Sequence, residues 1–316
     1  MAETNITGPL WGYEQRSRRL AGLWPTSVYE IPVLPPPTKA LFGYGVNASS
    51  NFVSITNLVS NTGVVAADVT GVGTARGNLA AAAYGTSKAI FGYGTSGASV
   101  SITNLVSDTG VVATDTTGVG TARSHLAAAG YATNNAIFGY GIGPVSLTNK
   151  VSYSGVVSAD TTGVGTARAY LAAARYSTDK AIFGYGFASG NQSMTNLVSN
   201  TGVVATDVTG VGTARRLLAA AGYGTDKAIF AYGFTTGNVS IKNLVSNTGV
   251  VATDVTGVGT ARNNLAATGY DIDKAIFGYG EGPVSMTNKV SNIGVVAADT
   301  TGVGTARYGP AAATYG

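Results

Sequence analysis

The stretch GTARGNLAAAAYGTSKAIFGYG, residues Gly73 to Gly94, recurs with small changes along the chain and decides the fold. Its arginine returns as Arg76, Arg123, Arg168, Arg215, Arg262 and Arg307, and its phenylalanine as Phe42, Phe91, Phe138, Phe183, Phe230 and Phe277. A self-similar unit of about 45 to 47 residues points to a repeat architecture, and a propeller blade is one of the few units of that size.

Each copy divides into four strand segments. In the copy that begins at Leu79, strand A is Leu79 to Ala83, strand B Lys88 to Gly94, strand C Val100 to Val106, and strand D begins at Gly110 to Asp115. Period-two alternation and β-branched residues argue strand over helix, and the glycine and asparagine clusters supply turns. In strand B, Ala89, Phe91 and Tyr93 are expected on one face and Ile90, Gly92 and Gly94 on the other. Strand A is small because strands nearest a propeller axis crowd one another.

Spacing locates the variation. Arginine to the following phenylalanine is 15 residues in every complete copy, while phenylalanine to the next arginine runs 34, 32, 30, 32, 32 and 30. Length therefore changes in or beside the B to C connection. The short third and sixth copies share a Gly-Pro turn and a lysine, GIGPVSLTNK (Gly141 to Lys150) and GEGPVSMTNK (Gly280 to Lys289), as if a three-blade half had been duplicated.

The chain ends complete one another. ARYGPAAATYG (Ala306 to Gly316) matches a strand A, and TKALFGYG (Thr38 to Gly45) matches a strand B. We expect an all-β, six-bladed β-propeller of four-stranded blades over residues 38–316. A blade shared between N- and C-terminal strands closes it and removes the exposed sheet edges.

The order of segments in Thr121 to Gly141, followed by Leu147 to Arg168, resembles the blades of kelch and galactose-oxidase propellers. The likeness covers about residue 38 to 316. It departs where the family's paired glycine becomes Gly-Tyr-Gly and where its strand D tryptophan is missing. It implies the fold, and no kelch functional residue is carried over. The near-identical AIFGYG repeats also look like those of tailed-bacteriophage virion proteins.

Residues 1–37 differ from the repeat and are expected to form an N-terminal extended arm with a proline-rich spacer (Pro32, Pro35, Pro36, Pro37). Trp11, Tyr13, Arg16, Arg18, Arg19 and Trp24 are either a strap along the propeller's side or a docking arm, since Trp, Tyr and Arg dominate interface energetics. The arm joins the closing blade at its A to B turn.

Charge balance is +4 with scattered cations, so no nucleic-acid surface is expected. There is no cysteine. No secretory leader or membrane-spanning run is read from the residues.

Aspartates stand eight residues before each arginine: Asp68, Asp115, Asp160, Asp207, Asp254 and Asp299. Their surroundings lack the alternating oxygen ligands of a calcium loop, so they are read as structural partners of the arginines or the backbone, with no metal and no cofactor. Tyr44, Tyr93, Tyr140, Tyr185, Tyr232 and Tyr279 are either a stacking platform or blade packing. His125 is the only histidine. Neither a Ser/His/Asp nucleophile motif nor a phosphate loop in TGVGTAR has the context it needs, so no catalytic residue is expected.

Variation among copies collects in the B to C and D to A connections, which share one end of the propeller. We take Asn78, His125, Tyr170, Asn264, Phe187 and Phe234 as candidate binding residues there, because recognition resides in loops on rigid scaffolds. The expected role is a non-enzymatic structural and recognition component of a larger assembly. The expected setting is a bacteriophage virion, made in the host cytoplasm, docked by the arm to other virion proteins and facing a host-surface glycan or protein. A free, extracellular carbohydrate-binding propeller is the alternative.

Overall fold

The computed structural model describes residues 38–316, so the arm residues Trp11, Tyr13, Arg16, Arg18, Arg19 and Trp24 lie outside the described residues. Residues Pro37–Gly316 form one unit. It is all-β and consists of six separate antiparallel sheets, consistent with a six-bladed propeller.

In the second sheet, Ala80–Tyr84 pairs with Lys88–Gly92, which pairs with Thr103–Val106. The alanine-rich first strands touch one another in sequence. Ala80–Tyr84 lies against Ala127–Tyr131, and the series continues through Ala172–Tyr176, Ala219–Tyr223 and Ala266–Tyr270 to Ala311–Tyr315, which lies against Ala80–Tyr84 again. The approach of neighbouring strands is close: a Cβ on Gly130 would sit 3.2 Å from the Ala83 carbonyl oxygen, and one on Gly222 3.0 Å from that of Arg175.

The first and last described strands share a sheet. Lys39–Asn47 runs between Ala311–Tyr315 and Phe52–Val59, with Lys39 opposite Tyr315 and Phe42 opposite both Ala312 and Asn57.

Two expectations are corrected. Strand D is not a continuous strand in any sheet. In the first sheet it touches Phe52–Val59 only through the bridges Val59↔Val65 and Thr56↔Val69. The Ala66 amide bonds to Leu58 and the Val69 amide to Thr56, so three steps on one side answer two on the other. That extra residue is a bulge. The Asn57 side chain fills the gap, donating to Ala66 O at 3.0 Å and to Asp68 Oδ1 at 2.9 Å.

Strand B also departs from its alternation at the tyrosine: it ends just before it in four sheets and carries a bulge there in Lys39–Asn47 and Lys180–Phe187. Tyr93 has φ +62°, and the five equivalent tyrosines lie between +63° and +66°. Left-handed backbone at an aromatic residue costs about 1–2 kcal/mol. It turns Tyr93 to the Ile90 side of the sheet, away from Phe91, and into the cluster that holds Phe138 of the next sheet.

Candidate functional site

Each boundary between sheets is one repeated assembly of six side chains. Tyr44 of the first sheet meets Phe91 of the second edge to face at 5.1 Å, and the Arg76 guanidinium lies over the Tyr44 ring at 4.3 Å. Arg76 is fully buried. Its Nε donates to Tyr93 O at 2.8 Å, one terminal nitrogen to Thr74 O at 3.1 Å and the other to Asn104 Oδ1 at 2.7 Å. The left-handed turn at Tyr93 presents that carbonyl, so strain at the tyrosine and satisfaction of the arginine are one device.

The acid completes it from outside. Asp115 accepts from Thr74 Oγ1 at 2.6 Å, from the Thr74 amide at 3.0 Å and from Asn104 Nδ2 at 2.9 Å, with Arg76 at 4.0 Å. Burial works to raise the Asp115 pKa. Hydrogen bonds from Thr74 and Asn104 and the charge of Arg76 outweigh it and hold the carboxyl below the ordinary value. The partner of each aspartate is thus the arginine that opens its own sheet, as in Asp160–Arg123, Asp207–Arg168, Asp254–Arg215, Asp299–Arg262 and Asp68–Arg307, and not the arginine eight residues on. The tyrosines are packing groups. Each of the six is fully buried, with its hydroxyl on a backbone carbonyl such as Val72 O. The Thr74 amide in TGVGTAR, a phosphate-loop pattern by composition, serves a carboxylate of the chain itself.

The variable residues gather at one end. Asn78, His125, Tyr170, Leu217, Asn264 and Gly309 have φ between +51° and +60°. Their amides and carbonyls form an unbroken cycle: Asn78 N to Gly309 O, His125 N to Asn78 O, Tyr170 N to His125 O, Leu217 N to Tyr170 O, Asn264 N to Leu217 O and Gly309 N to Asn264 O, all 2.8–2.9 Å. Six identical backbone positions therefore carry five different kinds of residue. The His125 and Tyr170 rings lie 4.3 Å apart, and burial lowers the His125 pKa to about 4. Ser124 Oγ is 3.3 Å from His125 Nδ1, and among the described residues no carboxylate bonds to that ring.

Phe187 and Phe234 join this end through backbone bridges to Ala169 and Arg216, the neighbours of Tyr170 and Leu217. Arg216 lies between the two rings, 4.9 Å from Phe187 and 5.0 Å from Phe234. The sequence reading missed Arg216, which hides in a repeat as the second residue of Arg215-Arg216. It also missed the six asparagines of the Asn104 type, whose signal was their recurrence in each strand C.

The opposite end has a second ring of backbone hydrogen bonds, made between turns of constant length. Gly85 N reaches Asn134 O, Ala132 N Asp179 O, Ser177 N Asp226 O, Gly224 N Asp273 O, Asp271 N Thr38 O and Gly316 N Ser87 O, at 2.6–2.9 Å. Thr38 and Gly316 stand where a sixth turn would be. Around the C to D turns, Val64, Val111, Val156, Val203, Val250 and Val295 are each more than half exposed. In the third sheet an open groove of about 460 Å³ is lined by Tyr131, Lys150 and the exposed Tyr153.

No protein-family model matches the chain, and no curated protein matches it. The kelch-type and phage-type likenesses rest on residue order alone.

Proposed function

We propose that the chain is a closed six-bladed β-propeller acting as a non-enzymatic structural and recognition component of a larger assembly. The observation that carries the reading is the contrast between its two ends. Both ends are held by rings of backbone hydrogen bonds, yet the B to C segments at one end run from three to seven residues while the turns at the other keep one length from copy to copy. A backbone device that tolerates Asn, His, Tyr, Leu and Gly at one position is a rigid scaffold for differing side chains, which is the arrangement recognition surfaces use.

The uniform end suits attachment. Thr38, to which the arm connects, lies there, and six exposed valines surround it. Exposed apolar groups repeated around a rim favour contact with a protein partner. The phage-type likeness of the repeats makes a virion the setting we propose, with a host-surface glycan or protein at the variable end.

Deleting residues 1–37 tests this. Residues 38–316 contain both hydrogen-bond cycles, so the truncated protein should fold and stay soluble while no longer co-assembling with the particle that contains it. Unchanged incorporation would sink the proposal. Glycan binding by the truncated protein, with no particle to join, would favour the free carbohydrate-binding alternative.

A further inference from the structure

We infer that Arg216, held between Phe187 and Phe234, is a recognition site for the carboxylate of an acidic saccharide. The inference rests on reading the variable end as a recognition surface and names what one sector of it takes.

The guanidinium carbon lies over both aromatic rings, at 4.9 and 5.0 Å from their centres, and one terminal nitrogen donates to Asn191 Oδ1 at 3.1 Å. Asn191 is fixed in turn by Nδ2 donating towards Thr235 O at 3.3 Å. Among the described residues the other N–H groups of the guanidinium have no hydrogen-bond partner, and none of them is a buried unpaired donor. Among the described residues no carboxylate lies within ion-pair distance of Arg216, whereas each of the six repeat arginines has one. A stacked guanidinium has little rotamer freedom left to lose, and its edge matches a carboxylate fork.

The surroundings select the kind of anion. Across the six B to C segments and the residue pairs 77–78, 124–125, 169–170, 216–217, 263–264 and 308–309, Arg216 is the only lysine or arginine. A polyanion such as nucleic acid or an acidic peptide needs several cations in register. One isolated arginine flanked by aromatic rings instead fits one carboxylate on an otherwise neutral sugar ring, whose C–H face can lie on Phe187 or Phe234.

The test titrates the full chain, and its R216M and R216K variants, with galacturonate, galactose, inorganic phosphate and hexa-aspartate. Galacturonate and galactose differ only at the carboxylate. The expected result is weak binding of galacturonate by the unmodified protein, lost about tenfold or more in R216M and weakened in R216K, with galactose much weaker throughout. R216M should melt as the parent does, because Arg215 and not Arg216 is the buried partner of Asn243. Galacturonate binding no better than galactose in the unmodified protein overturns the inference, and that comparison requires no variant to fold. Equal binding by R216M, or stronger binding of phosphate or hexa-aspartate, overturns it as well. The arm-deletion experiment is read on particle incorporation, so either idea can fail alone.

Discussion

Tyr279 and Phe42 meet edge to face with centroids 5.1 Å apart, although one belongs to the last complete repeat and the other to the first described strand. Arg307 lies over the same tyrosine at 4.0 Å. The pair occupies the place that Tyr44 and Phe91 occupy between the first two sheets, so the boundary between the last sheet and the first repeats the aromatic and cation contacts of the others, differing in that Arg307 Nε has no hydrogen-bond partner.

Removing either phenylalanine should therefore cost the same. Phe42→Ala and Phe91→Ala each delete a fully buried ring, and each is expected to lower stability by about 3–5 kcal/mol in denaturant unfolding. If Phe42→Ala cost under about 1 kcal/mol while Phe91→Ala cost several, the equivalence of the two boundaries would be wrong.

Asn104 ties a buried guanidinium to a carboxylate through one amide. Asn104→Leu keeps the branched outline and the number of side-chain heavy atoms and removes these contacts, leaving Arg76 short of a partner in a dry site. A loss of about 3 kcal/mol is expected, against under about 0.5 kcal/mol for an exposed control such as Thr236→Ala. Equal effects of the two substitutions would remove the buried arginine from the account of stability.

Acid should loosen all six boundaries together. The folded pKa of Asp68, Asp115, Asp160, Asp207, Asp254 and Asp299 is depressed, so the unfolded chain binds more protons in the acid range. Their contribution is complete above the ordinary carboxylate pKa of about 4 and fades as pH falls through the lower folded values. Melting temperature measured from pH 6 to pH 2 should drop most below about pH 4, and Asp115→Asn should flatten that drop by roughly one part in six.

His125 gives a separate window. Burial lowers its pKa to about 4, so the folded protein holds it neutral where the unfolded chain has begun to take a proton. Its contribution is full above the ordinary histidine value of about 6.5 and is lost as pH falls towards 4, on the order of 1–3 kcal/mol. His125→Gln should remove the pH dependence of stability between about 6.5 and 4. An unchanged profile would mean the ring is solvated.

Two glycines of positive φ separate conformation from contact. Gly97 (φ +109°) faces open space, whereas a Cβ on Gly73 (φ +74°) would lie 2.3 Å from Asp115 Oδ1. Gly97→Ala should cost about 1 kcal/mol for backbone strain alone, and Gly73→Ala at least about 2 kcal/mol more because Thr74 then loses Asp115. Equal losses would separate Gly73 from the carboxylate.

The number of repeats, the strand type of A, B and C and the pairing of the two chain ends were legible in the sequence. Each is encoded locally: alternation, small residues in strand A and two half-repeats that complement one another. The turn of Gly-Tyr-Gly was not legible, since alternation assumes an unbroken pleat and a bulge reverses the face of everything after it. The fate of strand D was hidden for a related reason. An asparagine side chain from the neighbouring strand takes over part of the hydrogen bonding that a ladder would otherwise supply.

Partnership was the part the sequence could not decide. Asp68 and Arg76 are near in the chain, yet Asp68 bonds to Thr305 and lies by Arg307, because a chain that passes from one sheet to the next carries its acid and its base to opposite boundaries. Likewise the residue types at the variable end could be read in order, but that Asn78, His125, Tyr170, Leu217, Asn264 and Gly309 form one hydrogen-bonded cycle, and that two phenylalanines from different loops flank a single arginine, follows only once the sheets stand side by side. Local pattern determines which strands form, and packing between strands distant in sequence determines which side chains meet.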